Sequence, residues 1–115
     1  MSAITTHVLD LSLGKPGAGI RVRLEYRSQS GGWQTIGDGV TDADGRINDL
    51  ASAGWDLQPG NYRLGFETGP YFLLRDVECF FPQVTISFVV KDPIQRYHVP
   101  LLLSPFGYST YRGTE

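Results

Sequence analysis

From Ile20 to Arg27 the chain alternates without a break: Ile20, Val22, Leu24 and Tyr26 are apolar or aromatic, and Arg21, Arg23, Glu25 and Arg27 are charged. A period of two marks a strand with one buried and one wet face, because successive side chains leave a strand on opposite sides. Tyr62, Leu64 and Phe66 repeat the pattern against Asn61, Arg63 and Glu67, and Val84, Ile86, Phe88 and Val90 repeat it against Thr85, Ser87, Val89 and Lys91. Shorter runs predict strands over 7–11, 33–41, 46–48 and 97–104 and near 108–111, about eight in all. Only 70–77 reads as a helix, with Pro70 at its start and an apolar Tyr71/Leu74 face.

Turn chemistry separates these runs. Gly14-Lys15-Pro16-Gly17 follows the first strand, Ser30-Gly31-Gly32 sits in a hairpin, Asp42-Ala43-Asp44-Gly45 makes a tight turn, and Gln58-Pro59-Gly60-Asn61 opens another strand. With 14 glycines and 7 prolines, many short elements joined by tight turns are expected. The economical architecture is all-β, an antiparallel two-sheet sandwich. A chain of 115 residues suffices for one domain, 1–115, and not for two.

Composition narrows the function classes. With 41% hydrophobic and 19% charged residues, disorder is excluded. The 10 basic residues are scattered among 12 acidic ones and leave no footprint for nucleic acid or an anionic membrane surface. No apolar run approaches the roughly 18 to 20 residues of a membrane span. The start, Met-Ser-Ala-Ile-Thr-Thr-His, lacks the charged and apolar regions of a secretory signal, and the lone Cys79 cannot form an internal disulfide. A soluble, cytoplasmic domain is expected.

Several familiar sites are absent. Gly14–Gly19 contains Lys15 but lacks the spacing that cradles phosphate. Asp42, Asp44 and Gly45 suggest half a calcium loop, yet Val40 and Ala51 occupy its first and last ligand positions. No serine lies in a G-x-S-x-G elbow, and Cys79 lies between Glu78 and Phe80 with no adjacent cation to activate it. Two histidines without a Cys/His cluster make no structural zinc site.

Those two histidines, His7 and His98, both fall in predicted strands. Tyr97, Val99, Leu101 and Leu103 form a core-like face, so His98 projects from the opposite surface with Pro100, Leu102 and Ser104. Pro100 and Leu102 are out of place on a wet face and point to a subunit interface. His98 is then either an interface histidine or a group that exchanges protons near neutral pH. Arg46, directly after Asp44-Gly45, is either a solvated strand-edge cation or a planar fork of donors for a substrate carbonyl or anion. The polar, aromatic run from Ser104 to Glu115 would fray on general grounds.

Taken in order, these residues resemble the transthyretin-like family, on its 5-hydroxyisourate hydrolase side. The blocks are Thr6-His7-Val8-Leu9-Asp10, Gly19-Ile20-Arg21-Val22-Arg23-Leu24, Thr41-Asp42-Ala43-Asp44-Gly45-Arg46 and Phe80-Phe81-Pro82-Gln83-Val84. Two longer and highly specific blocks follow: Tyr97-His98-Val99-Pro100-Leu101-Leu102-Leu103-Ser104-Pro105, and Gly107-Tyr108-Ser109-Thr110-Tyr111-Arg112-Gly113-Thr114. Together they cover essentially the whole chain.

The resemblance implies a transthyretin-like (prealbumin-like) sandwich of eight strands and one short helix. It also implies a homotetramer whose active sites lie where subunit pairs face each other across a central channel. The activity implied is hydrolysis of 5-hydroxyisourate, the unstable product of urate oxidation, to 2-oxo-4-hydroxy-4-carboxy-5-ureidoimidazoline, with neither metal nor cofactor. His7 and His98 match the family's catalytic histidines and Arg46 its arginine; Tyr111-Arg112-Gly113-Thr114 matches a tail of Tyr-Arg-Gly-Ser. On this reading the histidines form the proton-transfer unit, Arg46 holds substrate carbonyls, and Tyr111 and Thr114 order substrate and water. Two departures stand out: Thr114 replaces the usual serine, and Arg96 stands where a third histidine is common. The alternatives are a small-molecule carrier like transthyretin, which has no chemical need of His7, His98, Arg46 or the tail, and an immunoglobulin-like structural domain.

Overall fold

The alternating runs form two packed sheets. The computed structural model describes residues 3–114. Its strands are β1 (Ile4–Asp10), β2 (Lys15–Pro16), β3 (Arg21–Arg27), β4 (Trp33–Val40), β5 (Arg46–Ile47), β6 (Gly60–Phe66), β7 (Val84–Val90), β8 (Tyr97–Ser104) and β9 (Gly107–Thr110), with one helix, α1 (Thr68–Leu74). One sheet runs β2-β1-β8-β9, with β5 also paired to β1; the other runs β4-β3-β6-β7. Strands pair antiparallel throughout except β1 and β8, which are parallel. Ile4, Val8, Val22, Leu24, Tyr62, Leu64, Phe66, Leu101 and Leu103 meet between the sheets and are fully buried or nearly so. No helix among the described residues is long and apolar enough to cross a membrane.

The first strand begins at Ile4, earlier than expected, because Thr5 and Thr6 pair with His98 and Val99 of β8. The helix departs further from expectation. It buries Thr68, Tyr71 and Phe72, while Leu74 is 86% exposed. A helix of seven residues makes less than two turns. The helix ends at Leu74 with Arg75 as its cap, and Asp76, at a left-handed φ of 56°, turns the chain away, so Tyr71 reaches the core as expected and Leu74 does not.

Two local devices position β1. The Asp42–Gly45 turn closes with Gly45 N–H on the Asp42 carbonyl at 2.9 Å, and Gly45 has a φ of 76°. A Cβ on Gly45 would stand 2.4 Å from the Val8 carbonyl oxygen, so only glycine lets the turn press against β1. Val8 N–H donates to the Gly45 carbonyl at 2.7 Å, and the next residue, Arg46, lands beside β1. At the end of the strand the buried Asp10 carboxylate accepts the Tyr71 hydroxyl at 2.7 Å and the Ser12 N–H at 2.9 Å. Burial raises the Asp10 pKa, but bonds from the Ser12 hydroxyl, Tyr71 and the Ser12 and Leu13 amides outweigh it and hold the carboxyl below its ordinary range. Tyr71 is pushed up to about 12, by burial first and then by its bond to that carboxylate.

Candidate active site

The outer face of the β2-β1-β8-β9 sheet collects the candidate residues. Along β1, Ile4, Thr6, Val8 and Asp10 turn inward and are buried, while Thr5, His7 and Leu9 turn outward and are half-buried. Along β8, Tyr97, Val99, Leu101 and Leu103 face the core, as their alternation predicts, leaving His98, Pro100 and Leu102 on the other side. The antiparallel β1–β5 pair sets His7 opposite Arg46, and the parallel β1–β8 pair sets His7 opposite Pro100. Arg46, His7 and Pro100 therefore form one row across three strands, and Thr5 and His98 form the next. With strands ~4.8 Å apart and a rise of ~3.3 Å per residue, the Cα atoms of His7 and His98 are about 8 Å apart.

His98 lies on the outward side, as expected, but it is not a surface residue: it is 5% exposed. Local alternation gives the side of the sheet, and distant chain then covers it. Gly113 bridges to His98, its N–H donating to the His98 carbonyl at 2.8 Å. A Cβ at Gly113 would stand 2.4 Å from His98 Cδ2, so the tail lies directly on the imidazole. From the other side, Thr5 Oγ1 is 2.7 Å from His98 Nδ1.

The C-terminal run does not fray through Gly113. Thr110 Oγ1 donates to the Pro100 carbonyl at 2.7 Å, covering part of the apolar surface that sequence alone assigned to a subunit contact. The Arg112 guanidinium lies 4.6 Å from the centre of the Tyr97 ring and donates to Gln95 at 3.0 Å and to the Arg96 carbonyl at 3.3 Å. The β8–β9 register, Leu101 opposite Thr110, continues to His98 opposite Gly113 and so places Tyr111 opposite Pro100. Tyr111 and Thr114 are exposed, and neither side chain hydrogen-bonds a described residue. Glu115 lies outside the described residues.

His7, Arg46 and His98 are thus gathered on one face, with Tyr111 and Thr114 on the strap that crosses it. Sequence reasoning missed Thr5 and assigned no role to Gly113. Thr5 is two residues from His7 in the outward alternation, but its partner lies 93 positions away. Gly113 is conspicuous only as the glycine between Arg112 and Thr114. The face offers two imidazoles for proton movement and one guanidinium for negative charge.

Known proteins share this arrangement of strands. A sequence model of the HIUase/Transthyretin family matches residues 4–113. The 5-hydroxyisourate hydrolase of Caulobacter vibrioides is 46% identical over 120 residues, covering 99% of this chain and 100% of that protein. The structure of Klebsiella pneumoniae 5-hydroxyisourate hydrolase matches with a TM-score of 0.82 and 39% identity, covering 96% of this chain and 98% of that one. Sea bream transthyretin in complex with thyroxine matches with a TM-score of 0.90 and 29% identity, covering 99% and 97%. Backbone geometry therefore does not separate hydrolase from thyroxine binder; the separation lies in which side chains occupy the shared frame.

Proposed function

The chain belongs to the HIUase/Transthyretin family, and from that premise we propose that it hydrolyses 5-hydroxyisourate, a step of urate degradation. The carrying observation is that identity to the two hydrolases, 46% and 39%, exceeds the 29% to transthyretin although the backbone does not favour them. The clustering of His7, Arg46 and His98 on one face supports the same reading, since proton transfer and charge stabilisation are what the reaction requires.

The reaction adds water across an amide-like C–N bond of the six-membered ring and yields 2-oxo-4-hydroxy-4-carboxy-5-ureidoimidazoline. Water attacks directly. His7 and His98 form the proton-transfer unit, in which a neutral imidazole activates the water; a well-placed base supplies roughly 10²–10⁴-fold. Arg46 holds the ring carbonyls with its planar fork and meets the negative charge that develops on the attacked oxygen. Tyr111 and Thr114 order substrate and water from the strap. No step calls for a metal or cofactor.

Residues 1–115 form a single hydrolase domain, of which Met1, Ser2 and Glu115 lie outside the described part. A sheet face needs a second surface to enclose a substrate, and half-buried Leu9 and Leu102 flank this one. A homotetramer with active sites between facing subunits supplies that surface. The cytoplasm is the compartment that suits a free Cys79. The deciding experiment follows the decay of freshly generated 5-hydroxyisourate with and without the protein. Catalysis accelerates the decay; a carrier binds the compound and leaves its decay unaccelerated.

A further inference from the structure

The strap over His98 is fastened from behind. Continued past β9, the pairing with β8 sets Tyr111 opposite Pro100, Arg112 opposite Val99 and Gly113 opposite His98. Residues paired across two strands share a side of the sheet, and successive residues alternate between sides. His98 and Pro100 lie on the outward side, whereas Tyr97 and Val99 face the core. Arg112 therefore leaves the strap on the side away from His7 and Arg46. There its guanidinium lies 4.6 Å from the centre of the Tyr97 ring and donates to Gln95 Oε1 at 3.0 Å and to the Arg96 carbonyl at 3.3 Å. The ring under it is itself fixed: the Tyr97 hydroxyl donates to the Asp92 carbonyl at 2.8 Å and accepts the Asp92 N–H at 3.1 Å. Neither Tyr111 nor Thr114 hydrogen-bonds a described residue through its side chain, so among the described residues Arg112 alone ties 111–114 down by a side chain.

We propose that Arg112 is a positioning residue that latches the strap to the Tyr97 ring, holding Gly113 against His98 and Tyr111 opposite Pro100 while itself touching no substrate. This rests on the hydrolytic reading of the site. Beyond β9 the main chain adds one bond among the described residues, from Gly113 N–H to the His98 carbonyl at 2.8 Å. Without the cation–π contact and the two hydrogen bonds of Arg112, that bond holds the strap alone. Each of the three is a modest contact at the surface, and together they set how often the strap is closed. A closed strap keeps water off the imidazole, where charges act on one another more strongly than in bulk water. Opening it returns His98 to solvent but leaves Arg46 in place to hold substrate. The loss therefore falls on kcat more than on KM.

Hydrogen exchange of the Gly113 amide reads the latch in the full-length protein without any substrate. In Arg112→Ala that exchange is expected to rise at least about tenfold, while the Leu24 and Leu64 amides of the paired β3 and β6 keep the parent rate. On 5-hydroxyisourate, kcat falls by about threefold or more and KM stays within about twofold. Gln95→Ala removes one bond of the latch from a residue outside the site, and moves both readouts the same way by less. The double variant matches Arg112→Ala, because a bond already lost cannot be lost twice. Parent-like exchange at Gly113 in Arg112→Ala overturns the proposal. So does a raised KM in Arg112→Ala beside a silent Gln95→Ala, which makes Arg112 a substrate-binding group. A parent protein that leaves the decay of 5-hydroxyisourate unaccelerated removes the hydrolytic reading instead, and the exchange rates still decide whether Arg112 latches the strap.

Discussion

The two sheets present outer faces built on the same alternation and put to different use. On β4-β3-β6-β7 the outward side chains include Arg21, Arg23, Glu25, Asp38 and Arg63, which line an open cleft of about 370 Å³. Their charges interleave: Arg63 meets Glu25 at 2.7 Å, and Arg21 lies 3.9 Å from Asp38. The Arg21–Asp38 pair stays largely in water and contributes little, while the Arg63–Glu25 pair is part-buried and neutralises itself within the face. On β2-β1-β8-β9 the outward residues of the two central strands are Thr5, His7, Leu9, His98, Pro100 and Leu102, with no carboxylate among them. Here the chain's own tail lies over one histidine, and a threonine hydroxyl stands 2.7 Å from its ring. The difference teaches that a strand face can be left to solvent or be covered by distant chain, and only the covered face holds groups in a sheltered place where proton transfer could be organised.

The strongest way to break this comparison is to strip the covered face of the two histidines proposed to transfer protons. His98→Ala is expected to slow turnover by at least roughly 10²-fold with assembly intact, and His7→Ala to fall in the same range. The double variant should lose less than the product of the two losses, because groups that act as one unit are not additive. Steady-state kinetics on freshly generated substrate, beside size-exclusion profiles, check both points; fully multiplicative losses would make the histidines independent.

Next comes the cover itself. Gly113→Ala forces a methyl to within 2.4 Å of the His98 ring, so the strap or the ring must move. A loss of turnover of about tenfold or more is expected with only a small change in melting temperature, because the strap is held by a few hydrogen bonds outside the core, whereas a displacement of ~1 Å at a reacting group can cost ~10²-fold. Deleting 111–115 should abolish most turnover, and restoring the chain through Thr114 should recover it. Parent-like kinetics in the deletion would leave the fold comparison intact and remove the tail from the site.

Arg46→Lys keeps the charge and loses the fork. Turnover is expected to drop by roughly tenfold, since a point cation cannot present two parallel donors to a planar ring. Unchanged kinetics would return Arg46 to the class of charges seen on the opposite sheet.

A smaller effect falls on the frame beneath the site. Asp10 titrates below its ordinary value in the fold, whereas an unfolded aspartate titrates near ~3.9. Its contribution to stability is therefore complete above the unfolded value and is lost as pH falls through the lower folded one. Tyr71→Phe removes one of the bonds that hold the carboxylate charged. It should cost about 1–2 kcal/mol near neutral pH, and the acid-dependent loss should become smaller and finish at a higher pH, which thermal melts across the acid range will show. The smallest effect belongs to the solvated face: Arg23→Ala should leave turnover and melting temperature within error of the parent.

Much of the fold was legible along the chain. The 84–90 and 97–104 runs coincide with β7 and β8, because a half-buried strand writes its two faces into every second residue. The two-residue strand β2 left no such trace; Lys15 and Pro16 pair with Asp10 and Leu9 through contacts too brief to make a period. The helix was placed within a few residues, but of its expected face Tyr71 is buried and Leu74 is not, since seven residues are too few for a helical stripe to be unambiguous.

The candidate site divides along the same line. Sequence alone determined the side of β8 on which His98 lies, the glycine turn that delivers Arg46, and the residue types a proton-transfer site needs, because each depends on neighbours within a few positions. Only the tertiary structure decided that Arg46 sits opposite His7, that Gly113 closes over His98, and that Thr5 meets a ring nitrogen 93 residues away. Those are pairings between strands, and a strand's own alternation specifies its two faces without specifying its partner or register.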